Sequence, residues 1–161
     1  MRGRSAAHPH VGVLFHRARR IVDEFVLERL AAAGHDHIRA AHGAVFSYMP
    51  SQGARLTDLA RRAQITKQSM GELVRDLEGM GYVERAPDPS DRRALIIRYT
   101  DRGRLADRIG VKAIRELEAR WSRAVGGQRM AELRAVLEEI TSGSGGRQAT
   151  QRSEQESQRV G

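Results

Sequence analysis

The sequence predicts a mainly α-helical chain with one small β-hairpin. Three observations carry that expectation. Apolar residues recur at three- and four-residue steps over long windows near both ends of the chain. Two short β-prone runs, Tyr82–Ala86 and Ala94–Tyr99, flank a polar stretch rich in Pro, Asp and Arg. Gly or Pro interrupts the pattern at Gly34, Pro50, Gly81 and Gly126-Gly127. At 161 residues, 40% hydrophobic and 30% charged, the chain can build one core with helical arms.

Each element follows in order. Residues 1–10 are polar, carry Pro9 and read as a flexible arm. Val11, Leu14, Phe15, Ala18, Val22, Phe25 and Leu30 form a helical stripe, and the helix over 11–34 closes at Gly34. A second helix spans Ile38–Met49 and stops at Pro50. Two short helices follow at 57–63 and 67–80, joined by Gln64-Ile65-Thr66, with Thr57 and Thr66 as N-caps. Gly81 ends the second. The hairpin comes next, its strands separated by a long polar loop, Pro87–Arg93. Thr100 caps a helix to about Val125 with Leu105, Ile109, Ala113, Leu117 and Trp121 along one side. A last helix over 128–141 carries Met130, Leu133, Leu137 and Ile140. The Gly-, Ser- and Gln-rich segment 142–161 is expected to be disordered.

Composition narrows the function. Twenty-eight Lys and Arg face twenty Asp and Glu, a net +8, which points to an acidic partner. No block of like charge stands out, so a nucleic-acid surface has to come from folded geometry. There is no Cys, which excludes disulfides, thiol redox sensing and Cys-zinc sites. Three Phe, three Tyr and one Trp are too few for a base-stacking platform. No apolar run approaches the roughly 18 residues of a membrane span, and Val11–Phe15 is too short and too charged around it for a signal core. A cytoplasmic protein without a membrane partner is expected. No phosphate loop, nucleophile elbow or paired carboxylates point to an enzyme, and no motif calls for a cofactor.

The middle of the chain carries the chemistry. Two short helices around a three-residue turn make a helix-turn-helix, and the hairpin after them makes it winged. At about 100° per residue, Met70, Leu73, Val74, Leu77 and Met80 fall on one side of the second helix and Gln68, Glu72 and Arg75 on the other. Gln and Arg pair bidentately with adenine and guanine edges in the major groove. Glu72 can accept from cytosine or hold Arg75, and Gly71 leaves room for a close approach. Lys67 and Ser69 sit at the helix start, where N–H groups and the dipole favour a phosphate. On the wing, Arg93 suits the narrow minor groove, Asp91 can orient it from the same face, and Arg92 points towards phosphate. Such residues also occur on ordinary solvated surfaces; their adjacency gives the pattern its weight.

These residues resemble a known family. The runs Leu56-Thr57-Asp58-Leu59-Ala60, Ile65-Thr66-Lys67-Gln68-Ser69-Met70, Gly81-Tyr82-Val83-Glu84-Arg85, Pro87-Asp88-Pro89-Ser90-Asp91-Arg92-Arg93 and Thr100-Asp101-Arg102-Gly103 are similar to the MarR (multiple antibiotic resistance regulator) family. The likeness covers about 11–141 and is strongest over 55–104. It implies a winged helix-turn-helix lobe over 35–104 and a helical dimerisation body from 11–34 and 105–141. It also implies a homodimer on palindromic double-stranded DNA, with the residue matching Arg93 in the minor groove. Many members are repressors that a small organic effector releases. The apolar stripes of the end helices, which exceed what a small lobe can cover, point independently to a dimer, with intramolecular packing alone as the alternative.

The histidines leave an alternative open. His35, Asp36, His37 and His42 could hold a divalent metal, making the chain a metal-sensing or protein-interaction module instead. Loop solvation and core packing explain the same letters. His42, with Phe46 on the same helix, could equally line an effector pocket.

Overall fold

The computed structural model describes the backbone of residues 8–159, and the side chains in that span except Arg92 and 144–159. The chain divides into two compact units, residues 1–117 and 118–161. The expected N-terminal arm lies mostly outside the described residues. The elements are α1 (Val11–Ala32), a 3₁₀ turn (Ala40–His42), α2 (Gly43–Tyr48), α3 (Leu56–Ala63), α4 (Lys67–Gly79), β1 (Val83–Asp88), β2 (Asp91–Tyr99), α5 (Asp101–Val125) and α6 (Gly127–Arg159). A mainly helical winged helix-turn-helix is what the sequence predicts and what forms.

The core of the first unit is built around α4. Leu59 of α3, Met70, Val74 and Leu77 of α4, and Tyr82 are all fully buried. The α3–α4 turn passes through Gln64, whose φ of +55° is the one positive value at a non-glycine residue among the described ones. Thr66 then caps α4 as expected, accepting from the Ser69 backbone N–H at 3.0 Å. Gly81 closes α4 at φ +74°. Gly103 packs directly on the Tyr82 carbonyl, where any Cβ would collide with backbone. That contact brings the start of α5 against the base of the wing, and the Thr100 hydroxyl adds a bond to the Gly81 carbonyl at 2.6 Å.

Four local expectations are corrected. The segment predicted as one helix from Ile38 is a 3₁₀ turn leading into α2. His42 reaches back to accept from the Arg39 backbone N–H at 3.0 Å, which fixes the helical start at Ala40. Thr57 is no N-cap: α3 begins at Leu56 with Arg55 before it. The reason is tertiary, because Ala54 is pinned to Ile97 by backbone bonds of 2.9 and 2.8 Å, and the chain turns into the helix directly from that bridge.

The wing loop is also tighter than predicted. Pairing steps from Pro87–Leu95 to Asp88–Asp91, so Pro89-Ser90 make the turn and 92–94 bulge from the ladder. Finally, α6 runs to Arg159, through the segment expected to be disordered. No proline interrupts 142–159, and its Gln, Glu and Arg residues are tolerable helix formers.

The end helices keep exposed apolar residues. On α1, Val11, Leu14, Phe15 and Ile21 are all at least 45% exposed. Within the second unit, Leu133, Val136 and Ile140 are comparably exposed, and an Arg134–Glu118 ion pair at 3.0 Å ties α6 to the end of α5.

Candidate nucleic-acid interface

Helix α4 turns Gln68, Glu72 and Arg75 to solvent, opposite the buried Met70, Val74 and Leu77. Gln68 Nε2 donates to Glu72 Oε1 at 3.2 Å, so Glu72 holds Gln68 rather than Arg75. The two lie one helical turn apart on the same face. Arg75 has no partner among the described residues and is free to meet one from outside. Lys67 is exposed at the helix start. Ser69 belongs to the cap: its hydroxyl is 2.8 Å from that of Thr66. Gly71 is buried, and a Cβ there would meet Leu56 Cδ2 at 3.8 Å, so this glycine faces α3 rather than an approaching ligand.

The wing is organised by Arg55, Asp88 and Ser90 together with Asp91, and of these the sequence singles out only Asp91 as a site residue. Asp88 is 7% exposed. Its Oδ1 accepts from the Ser90 hydroxyl at 2.6 Å and the Ser90 backbone N–H at 2.8 Å. Its Oδ2 accepts from Arg55 Nε at 2.8 Å. Arg55 also reaches Asp91 Oδ2 at 3.3 Å. The Ser90 hydroxyl, the Ser90 N–H and then Arg55 hold the Asp88 carboxyl at about 2. One guanidinium thus ties the start of α3 to both ends of the wing turn.

Arg93 is exposed, and its backbone N–H donates to Asp91 Oδ1 at 3.1 Å. Asp91 therefore fixes the Arg93 backbone, not its guanidinium as alternation along a regular strand predicts. The bulge at 92–94 removes that alternation. The Asp88-Pro89-Ser90 run, an Asx-type turn signal, could have indicated this tight turn. Arg55 left no local trace.

A cavity of about 160 Å³ lies in the first unit, walled by α1, α2 and the start of α5. Val26, Leu30, Ile38 and Phe46 give it apolar walls, and Arg19, Asp23, Arg39 and Asp107 bring charge to it. Phe46 is among the lining residues. His42 is not in the lining: it is fully buried beside α4, with Nε2 3.6 Å from Asp76 Oδ2. Burial pushes its imidazole below the ordinary range, against the pull of Asp76. His35 is buried elsewhere, with Nδ1 3.0 Å from the Tyr82 hydroxyl, and burial lowers its pKa as well. His37 is exposed beside Asp36. The proposed metal set is therefore not assembled. No group of three or more potential ligands converges among the described residues.

A winged helix-turn-helix with an outward-facing polar helix and a clamped cationic wing defines a class, and comparison narrows it. Residues 44–94 match the model of the MarR family, and over that segment the chain is similar to its members. It is 33% identical over 104 residues to the HTH-type transcriptional regulator PetP of Rhodobacter capsulatus, covering 65% of this chain and 63% of that one. It is 32% identical over 92 residues to the HTH-type transcriptional repressor Rv2887 of Mycobacterium tuberculosis, covering 57% and 66%. The matches thus span a little under two thirds of these curated relatives.

Among solved structures, the Mycobacterium tuberculosis MarR family protein Rv2887 in complex with salicylic acid superposes with a TM-score of 0.60 at 26% identity, covering 84% of this chain and 98% of that one. CouR from Rhodococcus jostii RHA1 bound to p-coumaroyl-CoA gives 0.67 at 24% identity, over 85% and 95%, and supports the fold. The curated relatives are regulators, not enzymes. Among the described residues, no helix is long and apolar enough to cross a membrane.

Proposed function

We propose that this chain is a sequence-specific, double-stranded-DNA-binding transcriptional regulator, acting in the cytoplasm as a homodimeric repressor that a small organic effector releases. One observation carries the reading: α4 presents Gln68, Glu72 and Arg75 outward beside a wing whose turn is locked and whose Arg93 is exposed. In the proposed complex Arg75 and Gln68 read base edges in the major groove. Lys67, Ser69 and Arg92 meet phosphates, and Arg93 enters the minor groove. Glu72 orients Gln68. The net charge of +8 supplies the long-range attraction.

A second copy of the chain is the proposed cover for the exposed apolar residues of α1 and α6, with 35–104 as the DNA lobe and 11–34 and 105–141 as the dimerisation body. Two-fold pairing sets two recognition helices on half-sites about 10 base pairs apart. The cavity is the proposed effector site. At about 160 Å³ it suits a single aromatic ring, as in the salicylic acid bound by Rv2887, better than a whole coenzyme A thioester. An engineered cavity of about 150 Å³ holds benzene.

Selection of preferred duplexes from a random pool by the full chain tests the reading. The expected product is a palindrome whose affinity falls steeply with salt. Recovery of unrelated sequences, or of none, overturns it.

A further inference from the structure

Arg39 does two things at once. It is one of the residues lining the cavity, and its guanidinium forms a close ion pair with Asp76, in the middle of α4. The other charges near the cavity are already engaged. Arg19 Nε bonds Asp23 at 2.9 Å, and burial raises the Asp107 carboxyl towards its neutral form while the Tyr99 hydroxyl opposes that shift. Arg39 is left as the cation whose present partner lies outside the cavity. That partner can be exchanged: Arg39 and Asp76 are 65% and 46% exposed, and ion pairs so exposed to water are weak. A carboxylate presented from the apolar cavity is less screened and competes well.

Building on the effector reading above, we propose that Arg39 is both the specificity-determining and the coupling residue of this cavity. It selects a monoanionic aromatic ligand, and in pairing with that ligand it releases Asp76 and so loosens the seating of α4.

The geometry also says what α4 loses. His42 accepts the Arg39 backbone N–H at Nδ1, so the neutral ring carries its proton on Nε2, which lies 3.4 Å from the Arg39 guanidinium and 3.6 Å from Asp76. With Arg39 withdrawn, Asp76 keeps only this long contact to a neutral ring. Ligand and the ordered α4 then compete through one guanidinium, and linkage requires each to weaken the other by the same factor.

The test uses benzoate, benzamide and benzylamine as probes, titrated by calorimetry into the full chain without DNA. Wild type is expected to prefer benzoate over both. Asp76→Asn should tighten benzoate binding by about two- to fivefold, the reach of an exposed pair. Arg39→Gln should weaken it and erase the preference over benzamide, whereas Arg39→Lys should keep the preference. Opposite signs at 39 and 76 are the signature of a shared guanidinium; a merely structural role for either residue does not produce them. The proposal is overturned if wild type ignores benzoate, if benzamide or benzylamine binds as well, if Asp76→Asn fails to tighten binding, or if Arg39→Gln binds like wild type. Because these titrations contain no DNA, a failure of the regulator reading shows separately, in the duplex selection.

Discussion

Helix α4 and the wing are neighbours held in place by different physics. Three residues of α4, Met70, Val74 and Leu77, are fully buried, so the helix is fixed from below and its outer face needs no internal partners. The wing is a two-stranded ribbon that has little core beneath its tip, where Leu95 is 54% exposed. Its turn is ordered instead by Arg55, Asp88, Ser90 and Asp91. Apolar packing frees a polar face for recognition. Where packing is missing, ionic and hydrogen-bonded ties have to supply the order, and they respond to pH and salt.

The largest expected effect breaks the α4 side of that contrast. Leu77→Ala should lower unfolding stability by about 2–5 kcal/mol, as deletion of a fully buried leucine does, measured by urea denaturation. Arg93→Ala should cost about 1–3 kcal/mol in DNA affinity, read by anisotropy at fixed salt. Arg55→Ala should weaken DNA binding by less, and should add little in an Arg93→Ala background, because Arg55 acts through the wing. A double-mutant cycle measures this; full additivity contradicts it.

The pH dependence follows from the same ties. Asp88 is held at about 2, so its contribution is present above the ordinary carboxylate range and is lost as pH falls from about 4 towards 2. His35 and His42 lie below their ordinary 6.5, so the unfolded chain takes up protons first and stability declines as pH drops below that value. Urea midpoints between pH 7.5 and 5.5 should show that decline. The smallest effect belongs to Gln64→Gly, which relieves a φ of +55° and should stabilise by about 1 kcal/mol or less.

Much of this was legible in the sequence where interactions are local. The α4 pattern from Met70 to Leu77, the Thr66 cap and the Gly81 stop each depend on neighbours within one or two turns, and all appear as expected. What stayed hidden depends on residues far apart in the chain. Arg55 finds Asp88 and Asp91 across 33 and 36 positions. The start of α3 is set by the Ala54–Ile97 bridge, which overrode the local capping preference of Thr57. His42 looked like a pocket or metal residue because its spacing to Phe46 was visible and its contact with Asp76 on α4 was not. The bulge at 92–94 defeated the alternation that paired Asp91 with the Arg93 side chain.

The central claim is that the outer face of α4 reads bases, and Arg75 tests it most directly. Wild-type and Arg75→Ala proteins should be titrated, at one salt concentration, against the selected duplex and its single-base-pair variants. The claim predicts that Arg75→Ala loses about 1–3 kcal/mol of discrimination at one position in each half-site and keeps its preferences elsewhere. An unchanged preference at every position, with or without a loss of overall affinity, contradicts it.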